Sequence, residues 1–140
     1  MGWTSKPSAF TKAIEADLTK KQKDIVIDAL QGVVLQSPVD TGAYRASHRV
    51  SINQTDQSFN EAERDKGGGS TISNGTSVLS RLAPYSTVYI QTNAPYAKKI
   101  EFGGFTSIPE TEKTSGGYSK QAPQGVYGLT FSYIAQKYGG

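Results

Sequence analysis

A corner in the chain, SPVDTGAYRAS at residues 37–47, places the strongest limit on how this sequence folds. Pro38 lacks the amide proton that a continuing helix needs, and its ring disfavours helical geometry at the residue before it. Asp40 and Thr41 have side chains that accept hydrogen bonds from the amides that follow, while Gly42 reaches backbone angles that other residues avoid. The stretch therefore predicts a sharp turn between two regular elements.

The segments on either side of this corner repeat with different periods. Between Ser8 and Gln36, apolar residues recur every three or four positions, which predicts an amphipathic helix with Ser8 as its N-cap and an end by Gln36. Gly32 costs this helix about 1 kcal/mol relative to alanine, so we expect its last turn to fray or kink. HRVSINQ, at residues 48–54, alternates with the two-residue period of a half-buried strand.

The second half of the chain contains three further predicted elements. STVYIQTN, at residues 86–93, has a strand pattern and is expected to pair with the first strand. PYAKKIEF, at residues 95–102, is predicted to form one or two helical turns, with Asn93 as cap and Pro95 as the first helical residue. The final segment, APQGVYGLTFSYIAQKYG, is predicted to be a helix with apolar residues around much of its circumference.

Two polar stretches that contain glycine separate these elements. Residues 55–75 are predicted to be a long loop or an extended hairpin tip, and residues 105–121 a second loop with room for short extended pieces. A chain of 140 residues is long enough to bury about two thirds of its unfolded surface, as one compact domain does. We therefore predict a single α+β domain over residues 1–140. In this fold a long N-terminal helix and a C-terminal helix pack on a small, mostly antiparallel β-sheet.

Composition excludes several kinds of site. The chain has no cysteine, which removes disulfides, thiolate catalysis and zinc sites that depend on sulfur. The net charge is +3, but most lysines lie beside acids, as in KKQKD at residues 20–24, and this pattern does not favour a dedicated nucleic-acid binder. Charged residues interrupt every apolar run in the first thirty residues, so we expect neither a signal peptide nor a membrane span.

The residue pattern gives little support to catalysis or to metal binding. A serine-type hydrolase would have to use His48, the only histidine, with Asp40 as the orienting acid, yet a histidine on the apolar face of a strand is more often a packed residue. The carboxylates that could serve as metal ligands are scattered along the sequence: Asp40, Glu101, Glu110 and Glu112. We predict a protein without cofactor or enzymatic activity, and keep the small histidine-dependent hydrolase as an alternative.

Three segments, taken in order, resemble one protein family. SPVDTGAYRASHRVSIN follows the pattern P-x-D-T-G-x-L-R-x-S except at Tyr44, IQTNAPYAKKIEFGG contains Y-A-x-x-[IV]-E-[FY]-G, and the last segment is a helix led by proline. The chain is similar in these motifs to the tail-completion or neck proteins of long-tailed bacteriophages, the head-tail joining family. It lacks the phenylalanine that follows the proline of the last helix in that family. The matched positions are Pro38, Asp40, Thr41, Gly42, Arg45 and Ser47, then Tyr96, Ala97, Glu101, Phe102 and Gly103.

This resemblance implies a structural ring in the virion, assembled in the host cytoplasm. By similarity we expect a hexamer between the capsid connector or head-closure proteins and the tail terminator or tail tube, around a lumen that passes DNA without reading its sequence. A tail-terminator ring or a head-closure (stopper) ring is the alternative position.

The resemblance also implies roles for individual residues. The first matched set is expected to form a structural turn, and the second set, which begins at Tyr96, is expected to lie in an interface or in packing. Lys98 and Lys99 are the candidates for facing the lumen, where lysine tolerates phosphate groups of any sequence.

Overall fold

The computed structural model describes residues 7–39, 41–103, 114–115, 118–119, 122 and 125–139. In these ranges the chain forms five helices and two short antiparallel sheets, which confirms the predicted α+β class. In chain order the elements are α1 (Pro7–Gln36), α2 (Ala43–Ala46), β1 (His48–Ile52), α3 (Gly69–Val78), a 3-10 turn (Leu79–Arg81), β2 (Val88–Thr92), α4 (Ala97–Phe102), β3 (Thr114–Ser115), β4 (Tyr118–Ser119) and α5 (Tyr127–Tyr138).

The long helix α1 ends at Gln36, as predicted, and is about 45 Å long. It begins at Pro7, so Ser8 lies inside the helix and the prediction that Ser8 is the N-cap was wrong. A proline suits the first turn because its missing amide proton is not needed there. Gly32 does not interrupt the helix either: a β-carbon at this position would lie 2.7 Å from Cγ2 of Thr130, so the glycine makes room for α5.

Strands β1 and β2 form the antiparallel pair that the sequence predicts. His48 lies opposite Thr92 in the register, and Ile52 lies opposite Val88. Side chains alternate between the two faces of a strand, and accordingly His48 and Val50 are buried while Arg49 is half-buried. The face that carries Val50 packs against α1 and α3.

The prediction of a loop over the whole of residues 55–75 was wrong, because α3 begins at Gly69. Its sequence, GSTISNGTSV, is rich in small polar residues that favour helices weakly. A carboxylate just before the helix and a glycine within it stabilise this helix. The Asp65 carboxylate accepts hydrogen bonds from the Gly68 and Thr71 amides at 3.0 and 2.8 Å, and Gly75 lets the helix approach α1 closely.

Helix α4 begins later than predicted. Tyr96 is its N-cap residue, so Asn93 does not cap it and Pro95 lies before its first turn. The helix ends at Phe102, and Gly103 follows with a φ of 82°, the left-handed region that glycine occupies without strain. In the predicted loop 105–121, the described residues form only the short pair of β3 and β4.

The core joins the second half of α1 to α2, to β1, to the 3-10 turn, to α4 and to the residues just before α5. Its buried members are Val26, Leu30, Val33, Val34, Tyr44, Val50, Leu79, Ala94, Ile100, Ala122 and Val126. Helix α5 packs chiefly along α1 and reaches β1 through Tyr127. No helix in the described ranges is both long enough and apolar enough to span a membrane.

Two glycines of α3 provide a matched test of this packing. A β-carbon at Gly75 would lie 2.4 Å from Cδ2 of Leu30 and 2.8 Å from Cγ2 of Val50, whereas one at Gly69 would meet nothing within 4 Å. We expect Gly75→Ala to lower the free energy of unfolding by about 1–3 kcal/mol through overpacking. Gly69→Ala should leave it unchanged or raise it by up to about 1 kcal/mol. Urea unfolding measures both, and equal effects of the two substitutions would contradict the packing described here.

Candidate functional site

The corner after α1 is held by the guanidinium group of Arg45. Its Nη2 donates hydrogen bonds to the carbonyl oxygens of Leu35 at 2.8 Å and Ser37 at 3.2 Å, and its Nη1 donates to the Lys66 carbonyl at 2.7 Å. Carbonyl groups at the end of a helix have no partner inside the helix and carry partial negative charge, so a fixed cation suits them. Arg45 thus ties the end of α1, with the half-buried Pro38 beyond it, to the loop before α3.

The turn itself depends on the short residues that the sequence singles out. Oγ1 of Thr41 accepts a hydrogen bond from the Ala43 amide at 3.2 Å. Gly42 has a φ of 87°, and a β-carbon there would lie 2.9 Å from the Asp65 amide nitrogen, whose proton the Gly42 carbonyl accepts. A side chain at this position would therefore force apart the corner and the loop before α3. Asp40, the remaining member of the predicted turn, lies outside the described residues.

Ser47 links the corner to the sheet. Its hydroxyl donates to the Tyr44 carbonyl at 2.6 Å, and it lies 2.6 Å from the Thr92 hydroxyl, which belongs to the neighbouring strand. Because Ser47 is buried, these two contacts replace the hydrogen bonds that its hydroxyl would otherwise make with water. The residue holds α2 at a fixed distance from β2.

A buried chain of hydrogen bonds connects α1, β1 and α5 through His48. Ser37 Oγ donates to the Val33 carbonyl at 2.5 Å, so in the contact of 2.6 Å with His48 Nε2 the hydroxyl oxygen accepts and the ring nitrogen donates. His48 Nδ1 is then unprotonated and accepts from the Tyr127 hydroxyl at 2.7 Å. A single neutral tautomer of His48 thus gives a partner to each of these side-chain groups.

The environment of His48 favours this neutral form strongly. The residue is only 3% exposed, and burial, followed by the charges of Arg49 and Arg45, lowers its pKa from 6.5 to about 3. Burial also raises the pKa of Tyr127 well above its ordinary value. Because His48 Nε2 already carries the proton that it shares with Ser37, it cannot take a second proton from the serine, as the base of a catalytic pair would. The arrangement can hold three elements together.

Glu101 caps helix α5 from a distance of 25 residues. Its carboxylate accepts hydrogen bonds from the amides of Val126 at 2.9 Å, Tyr127 at 2.7 Å and Gly128 at 2.9 Å. The first amides of a helix lack partners within it and carry partial positive charge. A carboxylate therefore stabilises them both by accepting their hydrogen bonds and by its opposite charge. At Gly125, with a φ of 80°, a β-carbon would come within 2.8 Å of this carboxylate. Glycine there lets the carboxylate approach.

The other residues of the second matched set lie in different environments. Tyr96 is half-buried, with its ring centre 5.9 Å from that of Tyr44, and Ala97 is half-buried beside it. Phe102 is 74% exposed, and Lys98 and Lys99 are exposed on the same short helix. The structure therefore separates the set into packing residues and a surface that includes Phe102.

A polar cleft of about 610 Å³ lies between β1, α3 and the loop that joins them. Arg49 lines it and is bound to Glu63, with Nη2 and Oε1 3.0 Å apart, and its Nε donates to the Ser58 hydroxyl at 3.1 Å. The charge of Arg49 is thus balanced by the carboxylate of Glu63. Within the described ranges, no three histidine or carboxylate side chains come together as a metal site would require.

No protein-family model matches the chain, and neither a curated protein nor a solved structure matches it. The role of the protein is therefore inferred from the geometry of the described residues and from the sequence motifs.

Removing the Glu101 carboxylate should destabilise the start of α5. We expect Glu101→Ala to lower the free energy of unfolding by about 1–3 kcal/mol, because three amides lose a charged acceptor. Glu101→Gln should have a smaller effect, since one side-chain oxygen remains to accept. Urea unfolding measures the change, and Glu61→Ala on an exposed loop is the control. An unfolding midpoint that does not move in Glu101→Ala would contradict the cap.

His48 should make the protein less stable as the pH falls. Between its ordinary pKa of 6.5 and its folded pKa of about 3, the unfolded chain binds a proton that the folded chain does not. Stability is therefore lost on going down through this window, by about 2 kcal/mol between about pH 7 and pH 5. His48→Gln keeps a donor and an acceptor but cannot titrate, so its unfolding free energy should vary much less with pH. The same slope in both proteins would refute this account.

Proposed function

We propose that this protein is a structural subunit, without catalytic activity, of a ring at the junction between head and tail of a long-tailed bacteriophage. In this role it joins the capsid connector to the tail tube. The observation that carries the proposal is the exposure of large apolar side chains on the first half of α1 and on the helices α4 and α5. Ile14 and Leu18 are exposed on α1, while Phe102, Leu129, Phe131 and Tyr133 are exposed on α4 and α5.

Two unlike apolar surfaces are what a closed ring of identical subunits requires. In a head-to-tail contact, each subunit gives one surface to one neighbour and a different surface to the other. Large exposed apolar patches on a protein surface often mark sites of contact with other proteins. The direction of such a contact around the ring would be set by the corner at Arg45 and by the Glu101 cap, which fix α1 and α5 on the same core.

The environment of His48 supports a structural role over a hydrolytic one. Its neighbours Ser37 and Tyr127 hold it in a neutral form inside the core, and the Ser37 hydroxyl is directed at a main-chain carbonyl. A nucleophile must instead be open to substrate and face a base with a free lone pair. We therefore assign this chain of hydrogen bonds to the stability of the subunit.

Lys98 and Lys99 are proposed to face the lumen of the ring. Both are exposed on α4, near the surface that includes Phe102. Lysine binds phosphate groups electrostatically and without regard to base sequence, which suits a channel that DNA must pass through. In particles that carry Lys98→Glu and Lys99→Glu together, altered DNA ejection is expected, and unchanged ejection would argue against this placement.

The proposal is tested by measuring the mass of the purified protein alone and after mixing with tail tubes. We expect a ring of several copies on the tube end, whether the free protein is a monomer or already a ring. Two further binding measurements distinguish the alternative positions. A head-closure ring should bind isolated connectors, and a tail-terminator ring should not bind tubes that a terminator already closes. A protein that binds none of these structures would overturn the proposal.

A further inference from the structure

The apolar residues of α1 lie on two different faces of the helix. At about 100° per residue, Ile14, Leu18, Ile25 and Gly32 fall within about 40° of one another around the axis. Ile14 and Leu18 are 43% and 44% exposed, while Gly32 is covered by α5. We call the exposed pair Ile14 and Leu18 the α1 stripe.

The face of α1 that enters the core lies elsewhere. Val26 and Leu30 are buried there and lie about 80° to 160° around the helix from the two residues of the α1 stripe. In the first half of the helix the same face carries polar residues, among them Thr19 and Lys23. Ile14 and Leu18 therefore lie on a different side of α1 from the residues that enter the core. A helix that served only this core would keep them on one face throughout.

The α1 stripe continues the line along which α5 packs. Helix α5 runs antiparallel to α1, since Thr130 lies against Gly32 and the Lys137 ammonium lies 2.6 Å from the Asp28 carboxylate. Leu18 is ten residues before Asp28, or about 15 Å farther along the axis. Helix α5 thus covers this side of α1 around Gly32 and Asp28, and the partly exposed Ile14 and Leu18 lie beyond that contact.

Helix α5 carries an exposed apolar ridge of the same kind. Leu129 and Tyr133 are four residues apart on α5 and are 44% and 50% exposed. Thr130 is the residue of α5 that faces α1, and both Leu129 and Tyr133 lie to the same side of it around the helix. We call this pair the α5 flank. Phe131 projects on the opposite side, where the residue four positions later is the small Ala135. Two ridges of i and i+4 residues are the elements that interlock in the commonest class of helix packing.

The charges beside both surfaces allow two copies of a basic chain to meet. On α1, the Lys21 ammonium lies 3.7 Å from the Asp17 carboxylate, and the Lys20 ammonium lies 3.9 Å from the Asp24 carboxylate. On α5, Lys137 is bound to a carboxylate of α1, as described above. Each of these cations already has an opposite charge within its own chain, so repulsion across the contact is weak.

We propose that neighbouring copies of this chain join through the α1 stripe of one copy and the α5 flank of the next. The contact is head-to-tail, so that each copy uses both surfaces, and this inference rests on the proposed ring. A single contact of this size is weak, and closing the ring adds the avidity of a second contact for every subunit.

Three leucine substitutions of the same type test the contact. Leu18→Glu changes the α1 stripe, Leu129→Glu changes the α5 flank, and Leu35→Glu changes a leucine that is 54% exposed outside both surfaces. We expect the first two to weaken self-association at least ~30-fold, because each places a charge in an apolar contact. The third should assemble like the wild type. Thermal unfolding establishes that all three are folded, and sedimentation or native mass spectrometry measures assembly, on tail tubes as well as in solution.

Mixing the two defective variants identifies the contact as head-to-tail. The Leu18→Glu protein keeps its α5 flank and the Leu129→Glu protein keeps its α1 stripe, so an equal mixture should form heterodimers while neither variant associates alone. If Leu129→Glu still dimerises, the α1 stripe pairs with itself and the proposal is wrong. If Phe131→Glu abolishes assembly and Leu129→Glu does not, the opposite side of α5 forms the contact and the proposal is also wrong.

The outcomes separate this inference from the proposed function. Copies that associate through these surfaces but bind no phage structure would leave the contact standing and remove the role in the neck. Rings on tail tubes that tolerate both Leu18→Glu and Leu129→Glu would leave the role standing and refute the contact. A wild-type protein that stays monomeric in solution at every concentration and on tubes would refute both.

Discussion

The anchoring of the C-terminal end of α1 is the constraint on which the rest of the fold depends. The helix is about 45 Å long, and only its second half is buried in the core. Its last carbonyls are held by Arg45, and its last turn is bound through Ser37 to His48 and from there to Tyr127. A buried polar group destabilises the fold when it is unpaired, and a fully paired network allows only one arrangement of the groups that form it. This network therefore fixes how α1, β1 and α5 meet.

The same principle recurs at the starts of α3 and α5, where carboxylates from outside the helix supply the cap. Asp65 binds the first turn of α3, and Glu101 binds the first turn of α5. Both helices begin beside a glycine with positive φ, Gly68 and Gly125, and neither N-cap residue makes a capping hydrogen bond with its side chain. Each helix is stabilised because an acid that precedes it in the sequence satisfies its first amides and its other face packs on α1.

These facts explain which parts of the structure the sequence predicts. The end of α1, the corner and the pair of β1 and β2 follow from local patterns, because a proline, a glycine and a period of two act over a few residues. The sequence does not predict helix α3, because its helix propensity is weak and its stability comes from the Asp65 cap and from the packing of Gly75 against Leu30. The cap by Glu101 spans 25 residues, and no spacing rule in a single sequence reports such a contact.

The position of the exposed apolar residues follows from the same anchoring. Because α1 is one continuous helix, the end held by Arg45 determines the direction in which Ile14 faces, more than 30 Å away. Glu101 fixes the start of α5, and Asp28 binds Lys137 near its end, so the α5 flank is held against the same rod. The angle between the two apolar surfaces is therefore a property of the polar network in the core. In the proposed ring of identical subunits that angle would set how many copies close the circle, which would give the corner a part in assembly.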